Sequence, residues 1–296
     1  MNLGFLIALG LALAGLALVL GGWFVSTRLI HPPHRRAETS PANYQLEFEN
    51  ISFRASDGLS LRGWFIPAAN PRGTIIVCHG YTGECSPDLV YAPLLHQHQY
   101  HTLYFDFRGH GISDGTTTSL VYYERRDLLA AIDFLRARGI DRVGLLGLSM
   151  GGAIALATAP ASPSVIGVIA DCGFGELRHV VAQGLIHRHL PKFLASILGW
   201  LVVVIASARV RANLFSADPI HWVSQIAPRP LLLMQAGHDD DVPLSEGRAL
   251  FAAAREPKEL WTVPNATHRE IENIAPEEYR KRVIEFFDQA FGKEQK

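Results

Sequence analysis

The chain contains few cysteines, few charged residues and no surplus of basic residues. Its three cysteines are too few and too far apart in 296 residues for a disulfide framework or a thiolate metal site, and they indicate a reducing compartment. Charged residues make up only 19% of the chain, and 27 lysines and arginines are balanced by 28 aspartates and glutamates. A nucleic-acid partner is therefore not expected, because such binding needs a basic surface that displaces counterions. Apolar residues reach 48%, which is enough to bury a core and excludes intrinsic disorder.

The first apolar segment, residues 3–26, contains no ionisable side chain. As a helix it would be about 36 Å long, more than the roughly 30 Å of a bilayer's hydrocarbon core. We therefore predict a single transmembrane anchor over residues 1–27. A cleaved signal peptide is the alternative, and it fits less well because no lysine or arginine precedes the apolar stretch, which is also longer than a usual signal core.

Positive charges follow the apolar segment, at Arg28, Arg35 and Arg36, and none precedes it apart from the α-amino group. By the positive-inside rule, this arrangement predicts that the rest of the chain lies in the cytoplasm. Residues 28–43 contain three prolines and no apolar periodicity. They are predicted to form a semi-rigid linker that reaches at most about 50 Å.

From residue 44 onward, fully apolar runs alternate with helical stretches, a pattern typical of a mostly parallel sheet covered by helices on both faces. Residues 44–66 instead alternate polar and apolar positions around an Asp-Gly turn, which predicts an antiparallel hairpin at the edge of the sheet. The apolar runs are residues 74–78, 102–107, 143–146, 165–170, 231–235 and 260–263.

A candidate nucleophile, Ser149, lies between one of these runs and a helical stretch, in residues 147–151 with the sequence GLSMG. Glycine is needed two positions before and two positions after the serine, because a tight strand-to-helix turn brings the backbone too close for a side chain. The strained turn exposes the hydroxyl, and the following helix directs its N-terminus at the site.

Four motifs resemble those of the α/β-hydrolase family, and within it the membrane-anchored bacterial proteins with an abhydrolase domain. They are residues 78–83 (CHGYTG), residues 106–113 (DFRGHGIS), the GLSMG turn, and an aspartate cluster followed by a histidine. The resemblance covers most of residues 44–292. It implies an α/β-hydrolase fold with an eight-strand-type sheet, no cofactor or metal, and a Ser–His–Asp mechanism with its residues in the chain order Ser, Asp, His.

In that order, the predicted general base is His268, because it alone of the thirteen histidines follows the aspartate cluster at residues 239–241. A metal site built from His238 and the same aspartates is an alternative interpretation. It is disfavoured because no spacing of the H-x-x-x-H type supplies further ligands.

The predicted acid of the triad is Asp240, which is selected by counting from Gly237 at the end of the preceding apolar run. The loop is one residue shorter than the family pattern. Counting back from Pro243 therefore selects Asp239 instead. A third candidate is Asp171, since some relatives take their acid after the previous strand.

The resemblance also implies an oxyanion hole formed by the backbone N–H groups of Tyr81 and Met150. Each such donor stabilises a transition state by roughly 3–4 kcal/mol. The predicted protein is a membrane-tethered serine hydrolase that cleaves carboxylic esters or thioesters of a small-molecule or lipid-like acyl substrate. A serine peptidase and a non-catalytic, membrane-anchored binding protein on the same scaffold are the alternatives.

A helical cap is predicted to be inserted at about residues 174–217, where the alternation of strands and helices stops. It contains sixteen uncharged residues, 193–208, with basic residues on both sides. As a helix this stretch would be about 24 Å long, short of a comfortable membrane span. Two interpretations stay open: a cap helix buried over the active site, or a lid whose apolar face also contacts lipid.

Overall fold

A computed structural model describes residues 3–81 and 83–292. Two predicted features extend beyond them, through the first two residues of the anchor and through Thr82 in the first motif, and the last four residues of the chain also lie outside the described ranges. The strands are β1 (Glu49–Arg54), β2 (Ser60–Ile66), β3 (Gly73–Cys78), β4 (Tyr100–Phe105), β5 (Val143–Leu148), β6 (Val165–Asp171), β7 (Leu231–Ala236) and β8 (Lys258–Val263).

These strands form one sheet in the order β1-β2-β4-β3-β5-β6-β7-β8. Strands β3 to β8 pair in parallel, whereas β1 pairs antiparallel with β2, and β2 with β4. The prediction of a mostly parallel sheet with an antiparallel hairpin at one edge is confirmed. The described helices are α1 (Leu3–Ile30), α2 (Ala92–Gln97), α3 (Glu124–Arg136), α4 (Met150–Thr158), α5 (Leu177–His187), α6 (Lys192–Val210), α7 (Leu244–Ala253), α8 (Ile271–Ile274) and α9 (Pro276–Gly292).

The central strands are apolar throughout because helices cover both faces of the sheet. Every residue of β5 and β6 is buried. One face packs against α3 and α4, which contribute Ile132 and Ile154 to the core. The opposite face packs against α2 and α9, through Leu95 and Phe287. This arrangement leaves the carboxyl ends of the parallel strands as the edge where loops can form a site.

The inserted region contains α5 and α6, which pack against each other. They approach closely at Gly199, where an added Cβ would lie 2.8 Å from the carbonyl oxygen of Arg178. One side of α6 is buried, and the other exposes large apolar side chains at Phe193, Ile197 and Trp200. Helix α6 of the cap is therefore buried on one side and presents an exposed apolar surface on the other.

Two helices among the described residues are long and apolar enough to cross a membrane, α1 and α6. Signal sequences and core helices of soluble proteins meet the same criterion. Helix α1 does not end at residue 27, as the predicted anchor does, but continues to Ile30.

The segment after α1, for which composition predicts a semi-rigid linker, forms hydrogen bonds to the sheet domain. The amide of Thr118 donates to the carbonyl of Ile30 at 2.9 Å, and the His31 ring contacts the carbonyl of Thr116 at 3.1 Å. Further along, the His34 ring contacts the carbonyl of Gly115 at 3.1 Å. Residues 30–34 therefore lie along the sheet domain and do not separate α1 from it.

Candidate active site

Ser149 stands between β5 and α4 on a strained turn, with φ of 53°. A Cβ added at Gly147 would lie 2.4 Å from the carbonyl oxygen of Gly151, and one added at Gly151 would lie 1.9 Å from that of Cys78. Neither position can hold a side chain, which is the reason for both glycines. The amide of Ser149 donates to the carbonyl of Asp171 at 2.8 Å, so the neighbouring strand holds the turn.

Two loops bring a histidine and an aspartate to Ser149. The loop after β8 places Nε2 of His268 2.9 Å from Ser149 Oγ. The loop after β7 places Asp239 Oδ2 2.7 Å from Nδ1 of the same ring. With the proton on Nδ1, as the carboxylate partner requires, Nε2 can accept the serine proton. These contacts have the geometry that a Ser–His–Asp triad requires.

The structure brings Asp239 to His268, and not Asp240, the residue predicted from the sequence. Its side chain is 72% exposed and lies 3.7 Å from His187, whereas the side chain of Asp239 is fully buried against His268. The count from the strand end is off by one because the carboxylate of Asp239 itself closes the turn. Asp239 Oδ1 accepts the amides of Asp241 at 2.9 Å and Val242 at 2.7 Å. The count from the proline side follows this turn and selects the residue that contacts His268.

The third candidate acid, Asp171, belongs to a different buried cluster. It ends β6, and its carboxylate accepts a hydrogen bond from the Tyr279 hydroxyl at 2.9 Å. Burial raises the pKa of this carboxyl. Its backbone supports Ser149, but its side chain is not the one that meets His268.

The residues expected to supply the oxyanion hole, Tyr81 and Met150, surround the same cavity as Ser149 and His268. This cavity has a volume of about 330 Å³. Met150 is the first residue of α4, so the N-terminal amides of that helix face a region where negative charge is favoured. The cavity is lined by Leu29, Gly80, Tyr81, Leu120, Ser149, Met150, Phe174, Val180, Asp241, Val242, His268 and Arg269.

Comparison with known proteins identifies the family. The model of a hydrolase family described as serine aminopeptidase, S33, matches residues 69–228, which is more than half of the chain. The chain belongs to this family of α/β hydrolases. The similarity spans the first three motifs and the whole of the predicted cap, and it ends before the loops that carry Asp239 and His268.

Individual relatives of this hydrolase cover most of its length. It is 30% identical to YqkD of Bacillus subtilis over 250 residues, 82% of this chain and 80% of YqkD. It is 30% identical to YfhR of Salmonella typhi over 232 residues, 75% of each chain. Among solved structures, it is similar to the esterase Pf2001 of Pyrococcus furiosus, with 26% identity, a TM-score of 0.73, and coverage of 88% of this chain and 97% of the esterase.

His79 connects the loop that carries Tyr81 to the second motif. The amide of Phe107 donates to His79 Nε2 at 2.9 Å, and Nδ1 contacts the carbonyl of Gly80 at 2.7 Å. Burial lowers the pKa of His79 well below its usual value, which keeps the ring neutral. A neutral ring can accept on one nitrogen and donate on the other, as these two contacts require. His79 therefore holds the loop and does not line the cavity.

Arg269 is a cavity residue that the sequence analysis missed. It follows His268 directly, lines the cavity and forms an ion pair with the fully buried carboxylate of Asp88. A Cβ added at Gly80 would lie 3.3 Å from Nη1 of Arg269, so the guanidinium lies against the loop before Tyr81. In the sequence, only its position directly after the predicted base His268 indicates that Arg269 lies near the site, and no motif indicates a role for Asp88.

Two groups of side chains among the described residues lie close enough together to bind a metal ion. One consists of Cys172, Asp239 and His268, and the other of Glu84, Cys85 and Asp106. Burial raises the pKa of both thiols well above the usual value, so neither is a thiolate at neutral pH. The carboxylates of Asp239 and Asp106 also accept backbone amides. Both groups therefore fit hydrogen-bonded loops better than metal ligands, which must be deprotonated and free.

Proposed function

We propose that this hydrolase cleaves carboxylic esters or thioesters through an acyl-enzyme on Ser149. The observation that carries the proposal is the continuous contact from Ser149 through His268 to Asp239, at 2.9 Å and 2.7 Å. His268 takes the proton of Ser149 as the hydroxyl attacks the carbonyl carbon. The same proton then passes to the leaving group, and water, activated by His268, releases the acyl group.

Asp239 acts in this mechanism by holding the imidazole. Its carboxylate keeps the proton on Nδ1 and stabilises the imidazolium that forms when His268 accepts the serine proton. The backbone N–H groups of Tyr81 and Met150 stabilise the oxyanion, at about 3 kcal/mol for each donor. Their position around the cavity beside Ser149 supports this assignment.

Esters and thioesters are preferred to peptides as substrates because most of the cavity lining is apolar. Leu29, Leu120, Phe174, Val180 and Val242 can surround an acyl chain. An aminopeptidase must in addition pair with a free α-ammonium group, and for this the lining contains one carboxylate, that of Asp241. The esterase among the similar solved structures supports the same choice, although the family model is described as an aminopeptidase.

The proposed enzyme is tethered to a membrane by α1, with the catalytic domain in the cytoplasm. Support comes from the length and apolar composition of α1 and from the arginines that follow it. The exposed apolar side of α6, with Phe193, Ile197 and Trp200, also suits contact with lipid. The membrane anchor and the apolar side of α6 both favour substrates with medium or long acyl chains, since burial of each CH₂ group contributes about 0.8 kcal/mol.

The test of the nucleophile is labelling of the full chain with a fluorophosphonate probe. We expect Ser149→Ala to abolish labelling and Ser196→Ala, which changes a serine on the cap, to preserve it. Labelling that persists in Ser149→Ala would exclude Ser149 as the nucleophile. An unaltered chain that is never labelled would favour the non-catalytic binding protein, and turnover of aminoacyl p-nitroanilides without turnover of p-nitrophenyl esters would favour the peptidase.

The orientation is tested by introducing Glu38→Cys, at an exposed position in the segment after α1. The three native cysteines are buried, so background labelling is low. We expect a membrane-impermeant maleimide to label the Glu38→Cys variant only after the cytoplasmic side is opened. Labelling of this variant in intact cells would reverse the proposed orientation.

A further inference from the structure

Helix α1 is attached to the catalytic domain along one face of its last nine residues. Gly22, Ser26 and Ile30 are buried, and Val25 and Leu29 pack against the core of the domain. Positions three and four residues apart lie on the same side of a helix. At Gly22 the approach is close, since an added Cβ would lie 2.9 Å from Cδ1 of Ile205 in α6. The end of α1 is therefore packed as part of the domain.

Arg209 of α6 fixes this packing with polar contacts. Its guanidinium donates to Ser26 Oγ at 2.9 Å, to Thr27 Oγ1 at 2.7 Å and to the carbonyl of Trp23 at 3.3 Å. It also lies 4.3 Å from the centre of the Trp23 ring. The same nitrogen of Arg209, Nη1, contacts all three oxygens, so α1 and the cap helix are held together at this point.

The last turn of α1 reaches the active site. The Tyr81 hydroxyl donates to the carbonyl of Arg28 at 2.9 Å. Burial raises the pKa of Tyr81 to about 12, so the hydroxyl keeps the proton that it donates. The next residue, Leu29, lines the cavity together with Ser149 and His268. One turn of the helix thus contacts the loop of the expected oxyanion hole and the space beside the nucleophile.

We propose that Leu29 determines acyl-chain specificity, because the last turn of α1 forms one wall of the cavity that holds the acyl chain. This inference rests on the proposed acyl hydrolase function and goes beyond the tethering of the enzyme. A medium acyl chain packs against Leu29, whereas an acetyl group is too short to depend on it. The helix that enters the membrane is then also a part of the substrate site.

The test compares Leu29 variants of the full chain, in phosphatidylcholine vesicles, on p-nitrophenyl acetate, octanoate and laurate. In Leu29→Trp, which fills the cavity, we expect the ratio of kcat/KM for octanoate to that for acetate to fall at least tenfold. In Leu29→Ala, which enlarges it, we expect the ratio for laurate to octanoate to rise at least threefold. Leu20→Trp and Leu20→Ala are the matched controls, at an exposed position of α1, and should change both ratios less than twofold.

Fluorophosphonate labelling of each variant separates the possible outcomes. Ratios within twofold of the unaltered chain in both Leu29 variants, with labelling intact, would overturn the inference and leave the proposed function standing. Failure of the unaltered chain to be labelled would overturn the proposed function, and the inference with it. If Leu29→Trp does not fold, it loses labelling and all three activities together. The inference is then decided by Leu29→Ala, through its ratio of kcat/KM for laurate to that for octanoate.

Discussion

Arg269 forms a buried ion pair with Asp88, and this pair joins the loop of His268 to the chain segment that contains Gly80, Tyr81 and Asp88. The carboxylate of Asp88 is fully buried, and the guanidinium lies against Gly80. Two loops that must keep a fixed distance around the nucleophile thus share one charged contact. The pair is therefore a structural support of the site.

Breaking this pair is expected to destabilise the protein strongly. Asp88→Asn leaves the buried guanidinium without its counter-charge, and removal of one partner of a buried pair costs about 3–5 kcal/mol. We expect the free energy of unfolding, measured with a chemical denaturant in detergent, to fall by about 3 kcal/mol. Glu259→Gln is the control, because it breaks an exposed pair with Arg282 and should cost less than about 1 kcal/mol. Equal losses in the two variants would contradict this account.

The assignment of the acid predicts a large difference between two neighbouring residues. Asp239→Asn should lower kcat by about 10⁴-fold, since an amide that donates to the ring favours the wrong tautomer of His268. Asp240→Asn should change kcat less than twofold, because that side chain is exposed and lies beside His187. The measurement is kcat on p-nitrophenyl octanoate. A large loss in Asp240→Asn, with Asp239→Asn active, would restore the choice made from the sequence.

The pH dependence of stability should contain a contribution from Asp218, at the end of the cap. The amide of Leu177, the first residue of α5, donates to its carboxylate at 3.0 Å, and burial raises the pKa from 3.8 to about 7. Between these values the folded chain binds a proton that the unfolded chain has lost. Rising pH therefore lowers the free energy of unfolding from about pH 4 to about pH 7, with no further loss above.

The Asp218→Asn variant isolates this effect, because its side-chain oxygen still accepts the Leu177 amide while the titration is removed. Relative to the unaltered chain, the variant should gain up to about 4 kcal/mol between pH 4 and pH 8, at about 1.4 kcal/mol for each pKa unit. Denaturant unfolding at both pH values measures the gain. Parallel pH profiles for the two chains would show that the carboxyl titrates normally in the folded state.

The fold could be predicted from the sequence because its signals are local. Fully apolar runs of strand length mark β5 and β6, which are buried on both faces, and the alternating residues 44–66 mark the edge hairpin. Ser149 is marked in the same way by the two glycines that the turn requires. Such signals depend on a few adjacent residues, and tertiary structure does not change them.

The features that the sequence did not reveal depend on contacts between distant segments. The choice between Asp239 and Asp240 was decided by the turn that Asp239 closes with the amide of Val242, which a count from the strand cannot detect. The position of Leu29 in the cavity wall was harder still to predict. The sequence places this residue in the linker after the predicted anchor, and a single apolar residue there does not indicate that it lines a cavity. Composition likewise predicted a semi-rigid linker, but it could not indicate the hydrogen bonds that hold this segment against the domain.

The attachment of α1 predicts that two truncations of the chain behave differently in detergent, where neither depends on a bilayer. Removal of residues 2–20 takes away the exposed part of α1 and leaves its docked face, so Tm and the ratio of octanoate to acetate activity should stay close to those of the full chain.

Removal of residues 2–31 instead deletes the cavity wall at Leu29, the three oxygen acceptors of Arg209 and the acceptor of the Tyr81 hydroxyl. A buried polar group left without its partner costs about 1–3 kcal/mol, and apolar side chains of α6 become exposed in addition. We expect a clear drop in Tm and at least a tenfold fall in the octanoate to acetate ratio. If both truncations match the full chain in Tm and in ester preference, then α1 is only a tether, and its last turn contributes nothing to the site.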